Sequence, residues 1–184
     1  MALEQVFYAN SMGLAPFGEP VHAELIRERL LDIHDDASVH LAPRYFAYAR
    51  GRRTTSSAFH ELFGAPPRPL GSTPGQREAD LAASAQLVLE ELVLGLAEQA
   101  SELTGQDQVC VGGGVGLNCV ANGRLRRNER FADVWVQPAA GDAGNAIGAA
   151  LWSWHAVQGQ PRRPGKPDGM GGATSSTSKC VIVS

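Results

Sequence analysis

Gln108-Val109-Cys110-Val111-Gly112-Gly113-Gly114-Val115-Gly116-Leu117-Asn118 and Val134-Trp135-Val136-Gln137-Pro138-Ala139-Ala140-Gly141-Asp142-Ala143-Gly144 decide the fold of this chain. Each begins as a short run rich in β-branched residues, stops at a glycine-rich turn and leads into a segment with helical spacing. A brief apolar run bounded by turn residues is the signature of a buried strand. The β-loop-α-β-loop-α alternation predicts an α/β fold with parallel strands. A strand that ends in glycines brings backbone N–H groups close to a ligand, and the helix that follows adds partial positive charge at its N-terminus. Two such turns can face one anionic ligand.

Neither turn settles its own chemistry. Gly112 to Asn118 lacks the Gly-Lys-Ser/Thr ending of a P-loop, and Asn118 stands where the lysine would be. It also misses the G-x-G-x-x-G spacing with an acidic residue further on. A structural turn and a phosphate cradle both remain open on these residues. Asp142, between Gly141 and Ala143, has two readings as well. It is a helix cap, or it holds a cation or positions a nucleophile beside a nucleotide.

Outward from these loops, the periodicity predicts a long helix over Gln76 to Leu103, with Leu81, Ala85, Val88, Leu92, Leu96 and Leu103 on its apolar face. Ser72 or Thr73 is placed to cap it and Gly105 to stop it. Further helices are expected over Val21 to Asp32, Ser56 to Phe63, Leu117 to Asn128 and Ala143 to His155, and a strand or extended segment over His40 to Ala49. Residues 66–75 read as a connector, and Ser11 to Gly18 as an apolar loop without regular structure. From about Gln158 the chain is rich in Gly, Pro, Ser, Thr and Lys and is expected to be a disordered tail. The domain reading is therefore residues 1–157 followed by a tail over 158–184.

Composition narrows the function classes. The 184 residues are 43% hydrophobic and 19% charged, with a formal net charge of −3. That balance gives no electrostatic footprint for nucleic acid or an anionic membrane. The basic group Arg124, Arg126, Arg127 and Arg130 reads as a solvated helix face. Cys110 and Cys119 read as small core residues, and no Cys-x-x-Cys spacing occurs. Cys180 is fifth from the end, one place off a prenylation signal. With no basic leader and no long apolar run, a cytoplasmic location is expected. None of the five histidines pairs at helical spacing, and His34-Asp35-Asp36 reads as a polar helix end.

Taken together, Cys110 to Arg124 and Trp135 to Gly144 resemble the carbamoyltransferases of nodulation-factor and antibiotic biosynthesis. Met12-Gly13-Leu14-Ala15-Pro16-Phe17-Gly18, Phe63-Gly64-Ala65-Pro66-Pro67-Arg68 and Asp80-Leu81-Ala82-Ala83-Ser84 are similar to segments of the same family. The resemblance runs from about residue 6 to residue 155. It implies part of a ribonuclease-H-like half-domain of the actin-like and sugar-kinase superfamily. It also implies a two-step reaction, in which carbamoyl phosphate and ATP form a carbamoyl-adenylate and the carbamoyl group passes to a hydroxyl of a small-molecule acceptor. By this resemblance Gly113 and Gly114 hug the nucleotide phosphates and Asn118 hydrogen-bonds phosphate or the carbamoyl group. Asp142 becomes the one carboxylate ligand of a divalent metal, iron or another transition metal.

The departures from the family pattern shape what is expected. The family's histidine-rich motif and its Asp-Gly-x-Gly-Glu segment are not found in this sequence, and Gly112 and Gly116 stand where alanine is usual. The expectation is a carbamoyltransferase fragment that is inactive alone, its missing domains supplied as separate chains. The alternatives are a catalytically inactive nucleotide-binding or interaction remnant and, less in keeping with the Gln137-to-Asp142 loop, a sugar kinase or ATPase.

Overall fold

A computed structural model describes residues 11–34, 38–48, 54–69, 71–161 and 181–183. The chain divides into two compact units, Met1–Leu92 and Val93–Ser184.

In the first unit, α1 (Ser11–Leu14) and a 3-10 turn (Ala15–Phe17) replace the expected irregular loop. Pro16 causes no break, because the opening of a helical turn needs no donor from it. The expected helix over Val21 to Asp32 is shorter, α2 (Ala23–Arg29), and its last residues become a strand. Leu31–Ile33 (β1) pairs antiparallel with Val39–Leu41 (β2), Asp32 opposite His40. His34 thus follows a strand and does not close a helix, and its ring meets that of His40 edge-on at 5.3 Å. Asp35 and Asp36 lie outside the described residues.

A 3-10 turn (Pro43–Tyr45) and α3 (Ser57–Leu62) follow, with the Ser56 hydroxyl accepting from Phe59 N–H as the N-cap. Gly64, at φ +71°, ends α3 in the left-handed conformation that favours glycine. The core of this unit gathers Ile26, Leu30, Tyr45, Phe63, Ala85 and Val88. Phe59 and Phe63 pack with their rings 4.7 Å apart.

The long helix, α4 (Gln76–Thr104), has the expected extent. Its start differs. Glu78 reaches back to accept from Gly75 N–H at 2.8 Å, as the glutamate of a capping box does. The Ser72 hydroxyl instead donates to Pro69 carbonyl at 2.8 Å. Gly105, at φ +66°, stops the helix as expected.

The second unit holds the parallel sheet. β3 (Gln108–Val111) runs parallel to β4 (Asp133–Val136), Val109 beside Val134 and Cys110 beside Trp135. β5 (Val181–Val183) pairs parallel on the other side of β3, giving the order β4-β3-β5. These three residues are strand, whereas the rest of the expected disordered tail beyond 161 lies outside the described residues. Between β3 and β4 come a 3-10 turn (Gly114–Leu117) and α5 (Cys119–Arg126). Val109, Val111, Ala121, Leu125 and Phe131 are buried. After β4, α6 (Ala143–Trp152) passes into a wider π-type turn, Ser153–Val157. Parallel strands joined through a helix bear out the α/β reading. Among the described residues this sheet has three strands, β4 and β5 both parallel to β3.

Candidate functional site

The first glycine loop is built from its own backbone. After β3 the chain turns at Gly113, whose φ of +69° and ψ of 177° fall in a region only glycine occupies without strain. Gly116 N–H then donates to Gly113 carbonyl at 3.1 Å and Asn118 N–H to Val115 carbonyl at 2.9 Å. Asn118 is buried, and its Oδ1 accepts from Ala121 N–H at 3.1 Å as the N-cap of α5. Gly114 opens the 3-10 turn. Asn122, which sequence reasoning did not single out, donates through Nδ2 to Gly116 carbonyl at 2.8 Å. Its Oδ1 is buried with no hydrogen-bond partner among the described residues. The i,i+4 spacing of Asn118 and Asn122, which stacks them on one helix face, was the available signal.

The second loop follows β4 and touches the first. Gln137 N–H donates to Val111 carbonyl at 3.1 Å, joining the two strand ends where the loops begin. A methyl group placed on Gly116 would lie 2.9 Å from the Ala140 Cβ, and one on Gly141 would lie 3.2 Å from Leu117 Cδ1. A side chain at Gly144 would overlap the Ala139 carbonyl. Small residues are therefore a condition of the two loops meeting.

Asp142 stands at the head of α6, exposed, and its side chain makes no capping hydrogen bond. The structure thus brings Gly113, Gly114 and Asn118 into one loop and Asp142 into the adjoining one. Among the described residues no group of three or more His, Cys, Asp or Glu side chains is placed to hold a metal. Cys119 is exposed at the start of α5 and Cys110 is half-buried, so the core reading fails for Cys119. Within the basic group, Arg126 pairs with Asp133 and Arg130 with Glu102.

The motif-like segments of the first unit converge on the N-terminal half of α4. A side chain at Gly18 would overlap the backbone of Ala79. Asp80 Oδ1 accepts from Glu19 N–H at 2.9 Å and from Gln76 Nε2 at 2.8 Å. Those two hydrogen bonds, the first above all, hold the Asp80 carboxyl below its ordinary pKa. The buried Ser84 hydroxyl accepts from His22 N–H at 3.0 Å and donates to Asp80 carbonyl at 2.6 Å. Arg77 Nη2 donates to Ala65 carbonyl at 3.0 Å. Arg27 meets both oxygens of Glu91 at 2.9 Å, and the hydrogen bonding to Glu91 raises its pKa further.

Two parallel strands delivering adjoining glycine loops define an α/β chain with a candidate anion site. The family model described as carbamoyltransferase N-terminus matches residues 6–151. The chain belongs to this carbamoyltransferase family. It is 51% identical over 162 residues to an uncharacterized protein of Synechocystis, covering 88% of this chain and 26% of that protein. It is 37% identical over 140 residues to the nodulation protein NolNO of Sinorhizobium fredii, covering 76% of this chain and 19% of the relative. It is 34% identical over 145 residues to the nodulation protein NolO of Bradyrhizobium diazoefficiens, covering 76% and 24%. The chain spans about a quarter or less of the length of these relatives. Among the described residues no helix is long and apolar enough to cross a membrane.

Proposed function

We propose that this chain supplies one wall of the active site of a carbamoyltransferase. The enzyme would transfer a carbamoyl group from carbamoyl phosphate, through a carbamoyl-adenylate made with ATP, to a hydroxyl of a small-molecule acceptor. The observation that carries the reading is the meeting of the two glycine loops beyond the ends of adjacent parallel strands, the usual place for a ligand in an open α/β sheet. On this reading the backbone at Gly113 and Gly114 approaches the nucleotide phosphates. Asn118 fixes the N-terminus of α5 so that its amide groups face the same charge. As the acceptor oxygen attacks the carbamoyl carbon, AMP leaves and the hydroxyl proton is lost. Fixed backbone donors stabilise the negative charge that develops.

Asp142 is suited to a divalent cation, because its carboxylate is exposed and makes no capping bond. One carboxylate falls short of the several ligands a transition metal takes, and the described residues bring no cluster of three to it. Asp142 is therefore proposed as a single ligand, and the steps above depend only on the loops. A ribonuclease-H-like half-domain, a cytoplasmic setting and further domains in separate chains belong to the same proposal.

Titration of the chain with ATP and with carbamoyl phosphate, followed by Trp135 fluorescence at the end of β4, tests the reading. A saturable change is expected for the wild-type chain and its loss in a folded Gly113→Ala variant. No change with either ligand would overturn the nucleotide wall and favour the inactive remnant.

A further inference from the structure

The β1–β2 hairpin of the first unit holds a group of side chains that neither the core nor the contacts around α4 use. Asp32 stands directly opposite His40 in the register, so both lie on the same face of the hairpin. His34 follows Asp32 by two positions, which returns its side chain to that face. The rings of His34 and His40 meet edge-on with their centroids 5.3 Å apart, and Asp32 Oδ2 lies 3.5 Å from His34 Nε2. All three residues are exposed, and none belongs to the packed core of the unit. His34 N–H donates to the Ser38 carbonyl at 3.0 Å, which ties the backbone at the end of β1 to the residue before β2.

We infer that His34 and His40 form a surface site for a divalent zinc ion that clips β1 to β2. Spacing is the first argument. Two imidazoles on a tetrahedral zinc, with zinc–nitrogen bonds of about 2.0 Å, hold their ring centroids about 5 Å apart. The pair already stands at 5.3 Å. Asp32 is the second. A histidine that binds metal through one nitrogen turns its other N–H toward a carboxylate or carbonyl, which fixes the ring. With Nε2 of His34 beside Asp32, Nδ1 is the nitrogen left for the metal. The third is the hairpin itself. A two-stranded sheet of three residue pairs is marginal in water on its own, and an ion that bridges its strands stabilises the paired state by mass action.

Imidazole selects the ion. Calcium and magnesium take oxygen ligands, whereas paired imidazoles suit zinc and its transition-metal neighbours. Among the described residues no group of three or more His, Cys, Asp or Glu side chains is placed to hold a metal. The site therefore has two protein ligands, with Asp32 orienting one of them and water filling the remaining positions. That makes it an open clip of modest affinity, unlike a closed structural centre with four protein ligands. The inference owes nothing to Asp142 and stands whether or not the glycine loops bind a nucleotide.

Calorimetric titration of the full chain, free of any affinity tag, with zinc chloride tests it. A single saturable event is expected. Asp32→Asn should weaken it about 10-fold, the lower end for losing a carboxylate that orients a ligand, and His34→Gln or His40→Gln should weaken it further. His155→Gln, in the second unit, should leave it unchanged. A second measurement needs no variant. In the wild-type chain with isotope-labelled histidine, zinc should shift the ring signals of His34 and His40 together, along one binding curve. The absence of saturable binding would overturn the inference and leave the two rings as a packing contact only. Binding that survives both glutamine substitutions, or that shifts His22, His60 or His155 in place of the pair, would overturn it as well.

Discussion

Asp80 and Asp142 stand in two different kinds of motif, and their surroundings explain why. In the first unit Asp80 is committed: Glu19 N–H and Gln76 Nε2 both donate to it, and its backbone carbonyl takes the Ser84 hydroxyl. In the second unit Asp142 heads a helix without using its side chain as a cap. Segments that look equally motif-like in sequence thus divide by what their polar groups do. Around α4 they saturate one another and hold the fold. At the ends of β3 and β4 the backbone holds its own shape and the Asp142 carboxylate is left exposed.

The largest effect is expected where that division rests on sterics. Gly18→Ala pushes a methyl group into the backbone of Ala79 and should cost about 3 kcal/mol, the upper end for overpacking. The midpoint of urea denaturation measures it, and an unchanged midpoint would show that the clamp on α4 is dispensable. Gly113→Ala comes next, at about 2 kcal/mol, from the strain of a non-glycine residue at φ +69°. The same variant should lose the ligand-induced change at Trp135.

Asn118→Ala removes the α5 cap and should cost about 1 kcal/mol, with Asn118→Ser recovering most of it. If serine restores stability but not ligand binding, the amide acts beyond the cap. Asp142→Ala is placed last, with a change within about 0.5 kcal/mol, because no hydrogen bond of its side chain is lost at an exposed helix start. A larger loss would make Asp142 structural and erase its contrast with Asp80.

Acid tests the commitment of Asp80 in a different way. The folded pKa of Asp80 is lowered, so its contribution is present above the unfolded value and is lost as pH falls through the folded value. Asp80→Asn should flatten the acid limb of a stability–pH curve measured by urea denaturation at a series of pH values.

Much of this was legible before any coordinates. Val109 and Val134 sit in short β-branched runs closed by glycines, and such runs have few ways to fold other than as buried strands. α4 was legible because its apolar residues recur at helical spacing for more than twenty positions. Gly113, Gly114, Asn118 and Asp142 could be placed on loops for the same reason. What escaped was set by contacts distant in sequence. Leu31–Ile33 reads as the end of a helix until Val39–Leu41 folds back to pair with it. The cap of α4 went to Gly75 and Glu78 because Ser72 was already engaged with Pro69. The meeting of Gly116 with Ala140 needed the register of β3 and β4, which no local spacing carries.

The place of β3 in the sheet has a consequence in time. Val109 pairs with Val134 on one side and with Val181 on the other, so the strand that carries the first glycine loop gains both partners only after the loop itself has been made. Because a chain emerges from its N-terminus and parallel pairing must wait for a distant strand, the loop's sequence is complete well before its footing is. A nascent chain not yet extended to Val181 holds a central strand that still lacks one flank.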